Sequence, residues 1–191
     1  MRFRLALATA LLAATSIPAA AQTVASADNA EMTAIYAGDQ APRSGSGATI
    51  DWSVVTPQDE ARRARTRELL DSGAFRTGSD FFNAATVFQH GSTPADFMLA
   101  HTLAVVAAAR GRSDAAFMAA ASLDRYLQAV GHAQVYGTQY RTPDRRNTTQ
   151  EPYDRTLVSD ALRQALDVRT LAEQEVHRRE LEESYRRTAP R

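Results

Sequence analysis

Between Pro94 and Gly131 the chain leaves almost no freedom in how it can fold. Thr93-Pro94-Ala95-Asp96 has the form of a helix start: Thr can cap, Pro suits the first helical position, and the acid two residues later suits the positive helix end. Gly111 then breaks the periodic run, Ser113 offers a second cap, and Gly131 closes the segment. Helices over about 94–110 and 113–130, joined at Gly111-Arg112, make an αα-hairpin whose Ala-rich faces allow close approach. No fixed repeat period accompanies it, so a solenoid is not indicated.

The same punctuation recurs outside this hairpin. Thr56-Pro57-Gln58-Asp59 predicts a helix from about 58 to 72, and Phe81, Phe82, Ala85 and Phe88 lie on another over about 79–90. Helices of about 155–166 and 171–187 follow, the last opened by the capping box Thr170-Leu171-Ala172-Glu173. Its pairs Arg178–Glu182, Arg179–Glu183, Glu182–Arg186 and Glu183–Arg187 are spaced i,i+4, as on a solvated face. Residues 22–37 are weakly helical around Met32, Ile35 and Tyr36, and 38–50 read as a Gly/Ser/Pro-rich arm. Trp52, the only tryptophan, is expected to pack where this arm meets the body. The expectation is an all-α bundle of five to seven helices around the 94–130 hairpin.

The first 21 residues have the pattern of an export leader. Arg2 and Arg4 precede an apolar run from Leu5 to Ile17, and Ala19-Ala20-Ala21 forms a small-residue cleavage site. The run is short and Ala-rich for a span of about 20 strongly apolar residues. Periplasmic or secreted location follows, with no stable membrane insertion. The remainder, about 170 residues, suits one domain: an arm over 22–56 and a helical body over 57–191. No cysteine is present, so disulfides, thiolate chemistry and Cys-ligated metal are excluded. Without Arg2 and Arg4 the basic count falls from 22 to 20 against 22 acids, a net charge of −2, which argues against nucleic acid. Every basic residue apart from histidine is Arg. No nucleophile elbow, Gly-rich phosphate loop or glycosidase-like acid pair occurs, and no cofactor motif is apparent.

The loop 131–152 carries the densest polar segment, Gln134-Val135-Tyr136-Gly137-Thr138-Gln139. On the preceding helix Asp124 shares a face with Phe117, Ala120 and Leu127. A carboxylate there needs donors from another element, because burying it alone costs several kcal/mol. It is either an anchor for the loop or the charged wall of a pocket. His101 repeats the problem beside Phe97, Ala104, Val105 and Ala108, where a satisfied core role is the simpler reading. Gln89-His90 closes a helix before Gly91, so His90 is either a cap or a site residue. His132 and His177 fall on loop or surface positions. Convergence of His90, His101 and Asp124 on a metal lacks a recognisable spacing, and no metal is expected.

Four short motifs occur in order: Asp39-Gln40 with Arg43, Gln89-His90, Asp124-Arg125, and Gln134 with Tyr136-Gly137-Thr138-Gln139. In these the chain resembles a bacterial family of unknown function marked by Asp-Gln-x-x-Arg, Gln-His, Asp-Arg and Gln-x-Tyr-Gly-Thr-Gln. The likeness covers roughly residues 30–170 and departs in the Gly/Ser-rich stretch after Arg43. It implies that these residues, eleven apart from Gly137, form one site, and it implies no reaction. The functional expectation is a pocket for a small polar or peptide-like ligand, with Gln134, Tyr136, Thr138 and Gln139 hydrogen-bonding and Asp124 and His90 supplying charge. In an enzyme, His90 and Asp124 are the catalytic candidates, and a hydrolase with His90 as general base is the least forced reaction. The alternative is a helical-repeat-like interaction module, or a part of an envelope assembly, in which the polar motifs only lock the loop.

Overall fold

A computed structural model describes residues 26–44, 50–144 and 146–188. The expected leader over 1–21 and most of the Gly/Ser-rich stretch lie outside the described residues. Seven α-helices occur among the described residues: α1 Ala30–Gln40, α2 Trp52–Asp71, α3 Gly78–Gln89, α4 Pro94–Ala109, α5 Ala115–Ala129, α6 Asp160–Ala165 and α7 Leu171–Thr188. A 3-10 turn, Ala41–Arg43, extends α1. Among the described residues, the loop after α5 contains only two isolated bridges, Gln134 with Tyr153 and Arg141 with Thr149. The fold is an all-α bundle with an αα-hairpin, α4–α5. No described helix is long and apolar enough to cross a membrane.

The most enclosed element is α3, in which every residue from Phe82 to Gln89 is buried. It packs on α1, α2, α4 and α5. Met32, Leu69, Phe75, Val87, Phe88 and Leu103 fill the core around Ala84, Ala85, Ala100 and Ala104. The small residues on α3 and α4 let the two helices close together, so the larger side chains of α1 and α2 can cover α3 from the other side. Both α3 and α4 begin with complete capping boxes, Thr77–Asp80 and Thr93–Asp96.

Several expected boundaries move, each for a local reason. Helix α2 begins at Trp52 because the Asp51 side chain accepts the Ser53 amide at 3.0 Å, and the buried Val55 ties this first turn to the body. Pro57 therefore lies inside the helix, where it cannot supply the N–H that the Ser53 carbonyl would take. Gly38 to Gln40, expected in the arm, continue α1. Ser113 does not cap α5: Arg112 occupies the Asp114 carboxylate at 2.6 and 3.0 Å, and the helix starts at Ala115 without a side-chain cap. The helix expected over 155–166 shrinks to α6. Asp154 Oδ1 accepts both the amide and hydroxyl of Thr156, at 2.9 and 2.7 Å, and closes a turn that competes with helix.

Some apolar side chains are more exposed than their periodicity suggested. Trp52 is 56% exposed, with the Arg43 guanidinium 5.9 Å from its ring, and Phe117 and Val105 are 40% and 48% exposed. On α4 the buried stripe is instead Phe97, Ala100, Leu103, Ala104 and Ala107. The charged face of α7 is partly a docking surface. Glu182 accepts the Thr148 amide at 2.9 Å, Arg178 donates to the Thr148 carbonyl at 3.1 Å, and Arg179 pairs with Glu175 at 2.9 Å instead of Glu183.

Candidate functional site

The eleven motif residues fall into two clusters joined by Arg125. The first lies between α5 and the loop after it. Asp124 is fully buried, and both carboxylate oxygens are occupied: Oδ1 accepts the amides of Val135 and Tyr136 at 2.8 and 3.0 Å. Oδ2 accepts the amide and hydroxyl of Thr138 at 2.9 and 2.8 Å. Gln134, also fully buried, accepts the Gln139 amide at 3.0 Å and donates to the carbonyls of Gln139, at 3.0 Å, and Gln150. Gln139 donates to the Ala121 carbonyl at 3.1 Å and the Thr138 hydroxyl at 3.0 Å. Tyr136 contributes its amide and carbonyl, the latter accepting from Tyr153 Oη at 3.1 Å and Gln174 Nε2 at 2.8 Å.

Gly137 makes this turn possible. Its φ is +81°, and a Cβ there would sit 2.1 Å from Gln174 Oε1 and 2.6 Å from Tyr153 Oη. Gln150, Tyr153, Arg163 and Gln174, all buried, extend the network toward α6 and α7. Sequence reasoning missed these four, since single polar residues in loops and on polar helix faces carry no distinguishing pattern. The geometry is that of a folded-over loop whose polar groups satisfy one another.

The second cluster lies at the C-terminal end of α3. Asp39, fully buried at the end of α1, accepts from His90 Nδ1 at 2.8 Å and from Gln40 Nε2 at 2.7 Å. Arg43 donates to the Asp39 carbonyl at 2.6 Å and reaches across to Asp59 at 2.5 Å. Asp59 is also held by Arg62 at 2.8 Å. Burial pushes the Asp59 carboxyl up, but the guanidiniums of Arg43 and Arg62 outweigh it and hold the group below its usual range. Asp59, missed in the sequence, was open to the wheel argument that found Asp124. Val55, Asp59, Arg62, Thr66 and Leu69 follow one helix stripe, of which Val55, Asp59, Thr66 and Leu69 are buried.

His90 lines an open cavity of about 390 Å³. One wall is the α2 face carrying Trp52, Thr56, Asp59, Glu60 and Arg63. The other walls are Arg43, the turn at Gly91 and Ser92, and Arg125 from α5. Because Asp39 accepts, His90 Nδ1 carries the shared hydrogen in the neutral ring, and Nε2 presents a lone pair. No described residue bonds Nε2. Arg63 donates to the His90 carbonyl at 3.2 Å and Arg125 to the Gln89 carbonyl at 2.6 Å. Arg125 also donates to Gln139 Oε1 at 3.3 Å and lies 5.5 Å from the Phe97 ring, which links the cavity to the loop network. Gln89 is buried, and its Oε1 lacks a partner among the described residues.

The other histidines lie elsewhere. His101 Nδ1 bonds the Ala119 carbonyl at 2.9 Å and ties α4 to α5, His132 is exposed, and His177 packs edge-on against Tyr140 at 5.1 Å. His90, His101 and Asp124 thus take separate partners, and among the described residues no group of three or more His, Cys, Asp or Glu side chains could hold a metal ion. In comparisons with known proteins, no family model, curated sequence or solved structure matches the chain.

Proposed function

We propose that the protein is an exported domain, periplasmic or secreted, that binds a small polar or peptide-like ligand in the cavity beside His90. The observation that carries this reading is the pairing of His90 with a buried carboxylate at the edge of that cavity. A histidine used only to cap α3 needs no carboxylate fixing its second nitrogen, whereas a histidine that must present one nitrogen to a ligand does. The volume of about 390 Å³ lies within the range of roughly 300 to 1,000 Å³ usual for small-ligand sites. The leader-like start, Arg2 to Ala21, supports export. The four motifs shared with the bacterial family of unknown function are then one unit, in which the Gln-x-Tyr-Gly-Thr-Gln loop positions Arg125 and the Asp39–His90 pair meets the ligand. If the domain is an enzyme, hydrolysis with His90 Nε2 as general base fits this arrangement.

Trp52 makes the reading testable, because the only tryptophan lines the cavity and reports its occupancy. The mature chain is screened by thermal shift and Trp52 emission against cell-wall fragments, peptides, sugars and divalent metals. At least one class is expected to raise the melting temperature and change the emission together, and His90→Ala is expected to abolish both responses. Silence of both readouts at millimolar concentrations of every class overturns the proposal. A second reading, an interaction module, draws on the self-satisfied loop and on exposed Leu162 and Val176 on α6 and α7, 57% exposed each.

A further inference from the structure

Three arginines line the cavity, and their charges are not equally compensated. Arg43 is bound to Asp39 and Asp59. Arg63 and Arg125 have no carboxylate partner among the described residues: each gives one N–H to a backbone carbonyl, those of His90 and Gln89. Adjacent carbonyls at the end of α3 therefore draw two guanidiniums to the same rim, one from α2 and one from α5. The negative end of a helix offsets such charges only in part, by about 0.3 to 1 kcal/mol each in exposed positions. Arg125 lies well inside the protein, and burial pushes its guanidinium below the usual arginine value. Among the described residues, N–H groups on both side chains are unused, Nε and one Nη on Arg63 and one Nη on Arg125. A half-buried cation without an anion is costly, so its retention calls for a partner supplied from outside the chain.

We infer that the ligand carries an oxyanion, a carboxylate or a phosphate, held between Arg63 and Arg125 beside His90 Nε2; this rests on the cavity being a ligand site. Guanidinium forks match both anions with paired N–H donors. Glu60 lines the same cavity and forms no ion pair among the described residues, which leaves a place for a ligand ammonium and fits the carboxylate of an amino acid or short peptide.

The test is titration of the mature protein with alanyl-alanine, alanyl-alanine amide and inorganic phosphate, read by calorimetry and Trp52 emission. The amide removes the terminal charge with little change of shape. Alanyl-alanine or phosphate is expected to bind, and their comparison assigns the anion's source. The dipeptide amide is expected to bind about tenfold or more weakly than the acid, as loss of a charge-assisted hydrogen-bond pair implies. Arg63→Gln keeps a donor for the His90 carbonyl, and it should weaken anion binding by a similar factor with the melting temperature held. Arg65→Gln removes the same charge from the exposed side of α2, where Arg65 pairs with Glu31 and Glu68, and should leave binding unchanged. Measurable and equal binding of acid and amide, or wild-type anion affinity in Arg63→Gln, overturns the oxyanion inference. Binding of neutral sugars alone would overturn it too while leaving the cavity reading intact, and absence of any ligand response removes both.

Discussion

Asp124→Ala is the perturbation that separates an anchoring carboxylate from a ligand-contacting one. In the wild type Asp124 accepts three backbone amides, from Val135, Tyr136 and Thr138, and the Thr138 hydroxyl, all at 2.8 to 3.0 Å. Removing the acceptor leaves these donors without their partner. A buried donor left without a partner costs about 1 to 3 kcal/mol. Val135, Tyr136 and Thr138 are only half-buried, so water reaches part of the turn, and the low end of that range applies to each amide. Relief of the carboxylate's own desolvation offsets some of the sum, leaving a net loss of about 3 kcal/mol. For a domain of this size that corresponds to a fall of roughly 6 to 12 °C in melting temperature.

Asp124→Asn keeps an acceptor for Val135 and Tyr136 but turns an NH2 group toward Thr138, so about half the loss is expected. Urea unfolding followed by circular dichroism measures both, and limited proteolysis within 134–141 should accelerate in the order wild type, Asn, Ala. An Asp124→Ala protein within about 1 kcal/mol of wild type, yet unable to bind ligand, would refute the anchoring role and return Asp124 to the cavity wall.

Two further perturbations address the rest of the framework. Gly137→Ala combines a positive φ of +81° with a Cβ 2.1 Å from Gln174 Oε1, so a loss of at least about 2 kcal/mol by urea unfolding is expected; a neutral effect would mean that the turn is not rigidly held. Asp80 is an acid-sensitive brace. Burial pushes its carboxyl up, but the amides of Arg76, Asn29 and Thr77 outweigh it, so the folded value lies below the unfolded one. Its contribution is therefore present above the unfolded value of about 3.9 and lost as pH falls through the folded value. Asp80→Asn should lower stability at pH 7 and flatten its dependence below about pH 4, and an unchanged slope there would contradict this account.

How much of this was legible in the sequence depends on how local the deciding interaction is. The Thr93–Asp96 box and Gly111 act within a few residues, so α4 and the hairpin turn stood out directly. The start of α2 was misplaced because two local signals competed, and Asp51 with the buried Val55 prevailed over Thr56-Pro57. Asp124 was legible as a buried acid that must find donors, from its helical phase alone. What phase could not reveal is the kind of donor, and function turns on that. Asp124 is met by backbone amides of a tight turn, which have no other task and leave the carboxylate nothing to offer a ligand. Asp39, equally buried, is met by an imidazole that lines a cavity and whose other nitrogen has no partner among the described residues. Two acids with the same burial thus diverge in role because one is satisfied by groups that end there and the other by a group that reaches onward. Arg125 joins them, holding Gln139 with one N–H and the end of α3 with another, so the loop network supports the position of a cation that lines the cavity and has one Nη without a partner among the described residues.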